Sequence, residues 1–453
     1  MNAGSVNAGA IPLSHVPPAE SGAYPVRAGN RVHPLVDGGE IFTRIAEAIA
    51  QARYSVWLTV AFYSDDFHFP DGSRLFDVLD EAVARGLDVR LLCWRANPET
   101  RPSWRILGGT SEQRALLAAR DAGFRIRWDR GIGPYCQHQK SWVMDAGQPT
   151  ETAFVGGINL TGVALRRHDV FVEITGPAAR DVHHNFVQRW NGASERLLPD
   201  GNWACDASDR LPPPGPASEG VEKGPSAVQI QRMMDPRRYG DGEAERSILD
   251  QYERAIDAAR HAIYIENQAV PIAPLARRLA GAMERGVDVV MVVPPVPEHY
   301  VRESRADPAY REMWQAVEAL GRHPRFALCG IAERHGEGLR AAYVHAKLML
   351  VDGVWVTVGS CNLHPFSLGG QTEMNASIWD ERFAVGLRRT LFAKHLGIET
   401  AGLPEREALR LFGERAAANR RRLDHSQVDW QGLAFALRPS DYAIADPGIA
   451  PPA

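Results

Sequence analysis

The sequence predicts an α/β protein built as two similar halves from an internal duplication, each a mixed β-sheet flanked by helices, with one shared active site. Three repeats point to this. HQKSWVMD at residues 138–145 and HAKLMLVD at 345–352 carry the same pattern of His, Lys and Asp, 207 residues apart. At the same offset, EAIAQARYSVWL (47–58) aligns with RAIDAARHAIYI (254–265). ARGLDVRLLCW (84–94) and ERGVDVVMVVP (284–294) each stop a helical stretch at Arg-Gly and continue as a β-branched run, the pattern of a helix C-cap feeding a buried strand. Similarity at a fixed offset marks a repeat, and strands alternating with amphipathic helices mark an α/β architecture.

In chain order, residues 1–35 are expected to form a disordered arm. Their opening, MNAGSVNAGAIPLSHVPPAESG, has neither the basic region nor the apolar stretch of a secretory signal. Residues 36–197 form the first half, 198–227 a linker dense in Pro, Gly and Ser, and 228–400 the second half. A tail, 401–453, starts with the helical pattern REALRLFGERAAANRRRLDH and ends Pro-rich, with Arg420, Arg421 and Arg422 expected on a solvated face. The pair His183 and His184 lacks a Cys or carboxylate at metal-ligand spacing and is expected on a helix surface.

A chain of 453 residues, 45% hydrophobic, can bury one large core or two of ordinary size. Its net charge of −4 lacks the basic surplus that many phosphate contacts require, which speaks against nucleic acid as a partner. No uncharged apolar run approaches the roughly 18 residues that span a bilayer. Membrane contact is therefore expected to be peripheral, with a cytoplasmic or membrane-surface location, or export by a route that sequence does not reveal. The five cysteines are scattered and read as free thiols, Cys93 as a core residue of a strand. A monomer is expected, its halves forming an intramolecular pseudo-dimer.

The chain has only four lysines, and two of them, Lys140 and Lys347, lie in the repeated motif. On a strand, residues i and i+2 share a face, so His138 projects with Lys140 and His345 with Lys347. Two imidazoles and two ammonium groups around one pocket suit a phosphodiester. Imidazole can serve as nucleophile or proton donor near neutral pH, and lysines can hold the non-bridging oxygens. After each motif comes a strand and a turn of small residues, FVGGIN (154–159) and TVGSCN (357–362). Gly156, Gly157, Gly359 and Ser360 permit close backbone approach, and Asn159 and Asn362 can donate to phosphate oxygens. Asp169 and Glu373 are carboxylates available to orient the histidines. Neither a metal nor a cofactor is implied.

These motifs resemble the paired HKD signature of the phospholipase D superfamily. HQK, YVHAKLMLVD, GSCN, YIENQ (264–268) and GPAARDVHHNFVQRWN (176–191) are most similar to the phosphatidylcholine-type phospholipases D and their bacterial relatives. The resemblance runs from about residue 40 to about residue 395. It implies a covalent phosphohistidine on His138, a proton donor in His345, orienting roles for Asp169 and Glu373, and structural roles for Asp145 and Asp352. Gly157 departs from the pattern, standing where a Ser is common. Glu266, Asn267 and Gln268 fall where their strand would meet the site.

Three functions follow from that resemblance. The leading expectation is hydrolysis of glycerophospholipids at a membrane surface to phosphatidic acid and a head-group alcohol, with transphosphatidylation to alcohols. The alternative is a phosphatidyltransferase of the cardiolipin synthase kind, although those enzymes usually carry N-terminal membrane helices that this sequence does not show. A nuclease fits the acidic charge balance poorly.

Overall fold

The computed structural model describes residues 13–20, 24–95, 107–120, 123–131, 135–193, 196–197, 203–204, 209–215, 223–235, 244–336, 338–427 and 429–452. The first half runs β1 (Arg27–Val36), α1 (Gly38–Gln51), β2 (Ser55–Val60), α2 (Leu75–Ala84), β3 (Asp88–Arg95), α3 (Ser111–Ala119), β4 (Arg125–Arg130), β5 (Lys140–Met144), β6 (Thr152–Gly156), β7 (Val170–Thr175) and α4 (Ala179–Gly192). A short pair, β8 (Arg196–Leu197) and β9 (Trp203–Ala204), follows. The second half repeats the plan with β10 (Ser226–Met234), β11 (Glu245–Arg246), α5 (Ser247–Ala258), β12 (Ala262–Asn267), α6 (Ala273–Glu284), β13 (Asp288–Val292), α7 (His299–Ala306), α8 (Arg311–Gly321), β14 (Phe326–His335), β15 (Gly338–Ala341), β16 (Lys347–Val351), β17 (Trp355–Gly359), α9 (Pro365–Gly369), β18 (Glu373–Trp379) and α10 (Glu381–Leu396). Two further elements, α11 (Glu405–Asp424) and β19 (Ala434–Ala436), close the chain.

The sheets have matching strand orders: β1-β7-β6-β5-β2-β3-β4 in the first half and β10-β18-β17-β16-β12-β13-β14 in the second. In each, three parallel strands joined by helical crossovers continue into an antiparallel meander, giving a mixed sheet. Strand β2 is buried at every residue, as a strand covered on both faces must be. Helix α1 supplies part of that cover through Ile41, Phe42, Ile45 and Ile49, which recur along one helix face. The two sheets meet through β6, β7, β17 and β18. There Val155 and Val172 of the first half share one apolar cluster with Val358 and Ala376 of the second.

The expected disordered arm needs correction, because much of residues 13–36 is packed; residues 1–12 and 21–23 lie outside the described residues. Val16 is fully buried and its carbonyl accepts from Trp379 Nε1 at 2.7 Å, while β1 pairs with β7 over residues 31–36. Polar residues and Pro34 within RVHPLV obscure the alternation that would have marked it as a strand. The tail also belongs to the second half: α11 packs against β13 and β12, and β19 pairs with β14. His183 is not on a surface. It is 5% exposed, with Nδ1 at 2.7 Å from Glu151. Most of the expected linker lies outside the described residues, as does Cys205.

The motif aspartates end β5 and β16 in left-handed conformations, with φ of 54° at Asp145 and 53° at Asp352. Each carboxylate accepts from three successive backbone amides. Those of Arg53, Tyr54 and Ser55 donate to Asp145 at 2.8, 2.8 and 3.4 Å, and those of Arg260, His261 and Ala262 donate to Asp352 at 2.8 Å each. The motif is thereby tied to the turn before the parallel strand of its own half, away from the pocket. His15 Nε2 also reaches Asp352, at 2.8 Å, pinning the N-terminal segment.

Candidate active site

The segment leading into each motif pairs with the other half. His138 N donates to Thr372 O at 2.8 Å and Thr372 N to Cys136 O at 3.2 Å. In the mirrored position, His345 N donates to His168 O at 2.8 Å and His168 N to Tyr343 O at 3.1 Å. Each histidine is thus held beside the acid that follows its backbone partner. The side chains cross accordingly. His138 Nδ1 lies 3.0 Å from both carboxylate oxygens of Glu373, and His345 Nδ1 lies 2.7 Å from Asp169 Oδ2. In both, Nε2 is left as the reactive nitrogen, and both imidazoles line one cavity of about 390 Å³.

The lysines sit behind the histidines. Lys140 Nζ donates to His138 O at 2.7 Å; Lys347 Nζ donates to His345 O and, at 2.9 Å, to Gln268 Oε1. Both are buried. Burial disfavours their charged form and pushes Lys140 down to about 8 and Lys347 down to about 7. A bound phosphate anion would raise both again. Anion binding near pH 7.5 is therefore expected to take up protons and to weaken as pH rises above about 7, as the empty-site lysines lose their protons. Calorimetry with inorganic tungstate, in buffers of differing ionisation enthalpy, reads both effects.

The two acids differ, and the small turns contribute to the difference. Ser360 Oγ donates to Glu373 Oε2 at 2.5 Å. Burial works to raise Glu373, but His138, Lys140 and this hydroxyl outweigh it and hold the carboxyl below its ordinary range. Asp169 accepts from Val170 N at 2.7 Å and lacks a hydroxyl partner, because the equivalent turn has Gly157. Burial raises Asp169 to about 7, against the opposing charge of Lys347. A side chain at Gly157 would crowd this pair: its Cβ would lie 2.8 Å from Asp169 Oδ2 and 3.0 Å from Lys347 Cδ, so the carboxylate would have to shift. Burial lowers His138, and burial together with Lys347 and Arg167 puts His345 well below its ordinary value.

The structure therefore gathers His138, Lys140, Asp169, His345, Lys347 and Glu373 into one site. Asn159 and Asn362 line the same cavity; Asn159 Oδ1 accepts from Phe62 N at 3.3 Å, leaving its amide hydrogens for a ligand. Ser360 faces Glu373 and Gly157 faces Asp169, so neither lines the cavity wall directly. Of the YIENQ segment, only Gln268 reaches the cavity. Glu266 instead accepts from Tyr264 at 2.6 Å and lies 2.8 Å from His168 Nε2 and 2.9 Å from His395 Nε2. Atoms of His168, Glu266 and His395 lie within 4.8 Å of one another. The fold thus assembles a His–Glu–His cluster that sequence spacing did not suggest. Sequence reasoning also missed Arg167, Glu298, Tyr300 and Tyr343 around the cavity, although Tyr343 opens the quoted YVHAK.

Two duplicated α/β halves with one His, one Lys and one crossed carboxylate from each define a phospholipase D-type phosphodiester site. The chain belongs to that superfamily: the family model described as "Cardiolipin synthase, PLD-like domain" matches residues 45–190 and 252–394. Cardiolipin synthase A of Pseudomonas fluorescens (strain SBW25) is 27% identical over 379 residues, 80% of this chain and 68% of that protein. Cardiolipin synthase B of Salmonella typhimurium (strain LT2) is 25% identical over 81% of this chain and 80% of that protein. Phospholipase D A of Dictyostelium discoideum is 25% identical over 83% of this chain, which spans only 36% of that longer protein. The crystal structure of phosphatidylserine synthase from Haemophilus influenzae Rd KW20 shares the fold, with a TM-score of 0.53 at 15% identity, covering 88% of this chain and 96% of that one. The finer likeness to phosphatidylcholine-type enzymes gives way to cardiolipin synthases among these relatives. Among the described residues, no helix is long and apolar enough to cross a membrane.

Proposed function

We propose that this protein is a phosphatidyltransferase, moving a phosphatidyl group from a glycerophospholipid to an alcohol through a phosphohistidine at His138. The unequal His–carboxylate pairs carry the assignment of roles. With Glu373 ionised and accepting Nδ1–H, neutral His138 presents the Nε2 lone pair of a nucleophile. The pair His345–Asp169, with an acid near 7, can hold one proton at neutral pH and deliver it from Nε2. In the first step Nε2 of His138 bonds to phosphorus, the bond to the head-group oxygen breaks, and that oxygen takes the proton from His345. In the second, the entering alcohol gives its proton to His345 and its oxygen displaces His138. Lys140 and Lys347 are assigned the stabilisation of charge on the non-bridging oxygens.

The cardiolipin synthase relatives favour a lipid alcohol over water as acceptor. Water entering the same place would give the hydrolytic reaction, the reading that the similarity to the Dictyostelium phospholipase D supports. One experiment separates them: phosphatidylglycerol, phosphatidylethanolamine and phosphatidylcholine in mixed micelles with 1-propanol, products resolved by mass spectrometry. Diphosphatidylglycerol and phosphatidylpropanol are the expected products. Phosphatidic acid alone would favour hydrolysis, and turnover of single-stranded DNA with no lipid product would sink both lipid readings.

A further inference from the structure

The charged residues of the cavity lining are Arg167, Glu298 and the two catalytic histidines when protonated, and they are not evenly spread. Arg167 lines it two residues before Asp169, on the side of His345, while Gln371, the corresponding residue two before Glu373, lines it on the side of His138. The Arg167 guanidinium lies 3.5 Å from the centre of the Tyr343 ring, and no carboxylate among the described residues forms an ion pair with it. Its platform is fixed: Tyr343 OH donates to Glu298 and accepts from Gln268 Nε2 at 2.8 Å, and Gln268 in turn holds Lys347. Two further residues of the cavity lining carry buried polar atoms without a partner among the described residues, Asn362 Oδ1 and His364 Nε2. A half-buried, unpaired guanidinium held flat on an aromatic ring is a built receptor for an oxyanion, because its fork matches phosphate oxygens.

In the reading above, the phosphate under transfer is assigned to Lys140 and Lys347. The arginine rests on Tyr343, whose ring lies beside His345, the residue that in this reading protonates the departing alcohol and receives the proton of the entering one. Resting on the transferase reading above, we propose that Arg167 binds a second phosphate, the one carried by the acceptor alcohol itself. The acceptor class is then a primary alcohol joined through a short polyol to a phosphate, as in the glycerol head group of an anionic phospholipid or in a soluble glycerol phosphate.

The test is a competition for one intermediate. Phosphatidylglycerol micelles serve as donor and lipid acceptor, with sn-glycerol 3-phosphate as soluble anionic acceptor and 1-propanol as neutral one. Diphosphatidylglycerol, phosphatidylglycerophosphate and phosphatidylpropanol report the three acceptors and show which source the wild-type protein uses. Because all come from the same phosphoenzyme, their ratio does not depend on how fast that species forms. Arg167→Ala and Arg167→Gln, the latter copying Gln371, are expected to lower the ratio of phosphate-bearing product to phosphatidylpropanol by about tenfold or more, the scale of one charge-assisted hydrogen-bonded pair. Arg167→Lys should recover part of it. An unchanged ratio in the Ala or Gln variant, with transfer intact, would overturn the acceptor subsite alone. Phosphatidic acid as the sole wild-type product would overturn the transferase reading, and the subsite with it.

Discussion

His138→Ala is expected to lower turnover of phospholipid by about 10⁴-fold or more and to abolish the covalent intermediate, because it removes the group that bonds to phosphorus. His345→Ala should divide by substrate. A lipid head group leaves as a poor alkoxide and needs the proton, so loss there should reach about 10³-fold; a 4-nitrophenyl phosphodiester leaves without one and should still phosphorylate the protein. Rapid acid-free quench and peptide mapping should place the phosphoryl group on residue 138. Its appearance on His345 would reverse the roles while leaving the site intact. Retention of a burst by His138→Ala would move the nucleophile to another residue, and a wild-type protein that yields neither a burst nor a phosphorylated peptide would remove the covalent mechanism altogether.

The repeat made the fold legible. Strand alternation alone could not have paired residues 138 and 345, but a duplicated motif with duplicated flanks implies two similar sheets, and two sheets with one motif each imply a shared pocket. The same reasoning stops at contacts that break the symmetry. Gln268 corresponds to Ala61 at the 207-residue offset, and Glu266 to Thr59, so nothing in the first half signals what either does. Arg167 is one of many arginines, and only its position over Tyr343 sets it apart. β1 was hidden for another reason: an edge strand that joins two sheets through β7 and β10 tolerates polar residues and a proline. Which acid serves which histidine was open in sequence, since both follow their motifs at similar distances. The crossed backbone bridges at Thr372 and His168 decide it.

That crossing gives the second large effect, because each carboxylate should fail in the step belonging to the histidine of the opposite half. Glu373→Gln replaces an acceptor by an amide whose NH₂ can donate to His138 Nδ1. The ring then carries its proton on Nε2, and the lone pair that must attack phosphorus is lost. A wrong tautomer of this kind costs about 10⁴-fold in the Ser-His-Asp hydrolases, and a comparable fall in the rate of phosphoenzyme formation is expected, for nitrophenyl and lipid substrates alike. Asp169→Asn leaves His138 and Glu373 untouched, so a nitrophenyl diester should still phosphorylate the protein. What it removes is the proton store of His345, the acid raised to about 7. Lipid turnover should fall by about 10² to 10³-fold, and the limb near pH 7 should disappear from the profile of kcat, read at saturating substrate where the bound phosphate has raised Lys347 out of that range. Stopped-flow bursts of nitrophenolate separate the two variants, with thermal unfolding as the check that each is folded. Loss of the burst in Asp169→Asn with its survival in Glu373→Gln would exchange the roles of the two histidines, and equal loss in both would mean that the acids act together rather than in sequence.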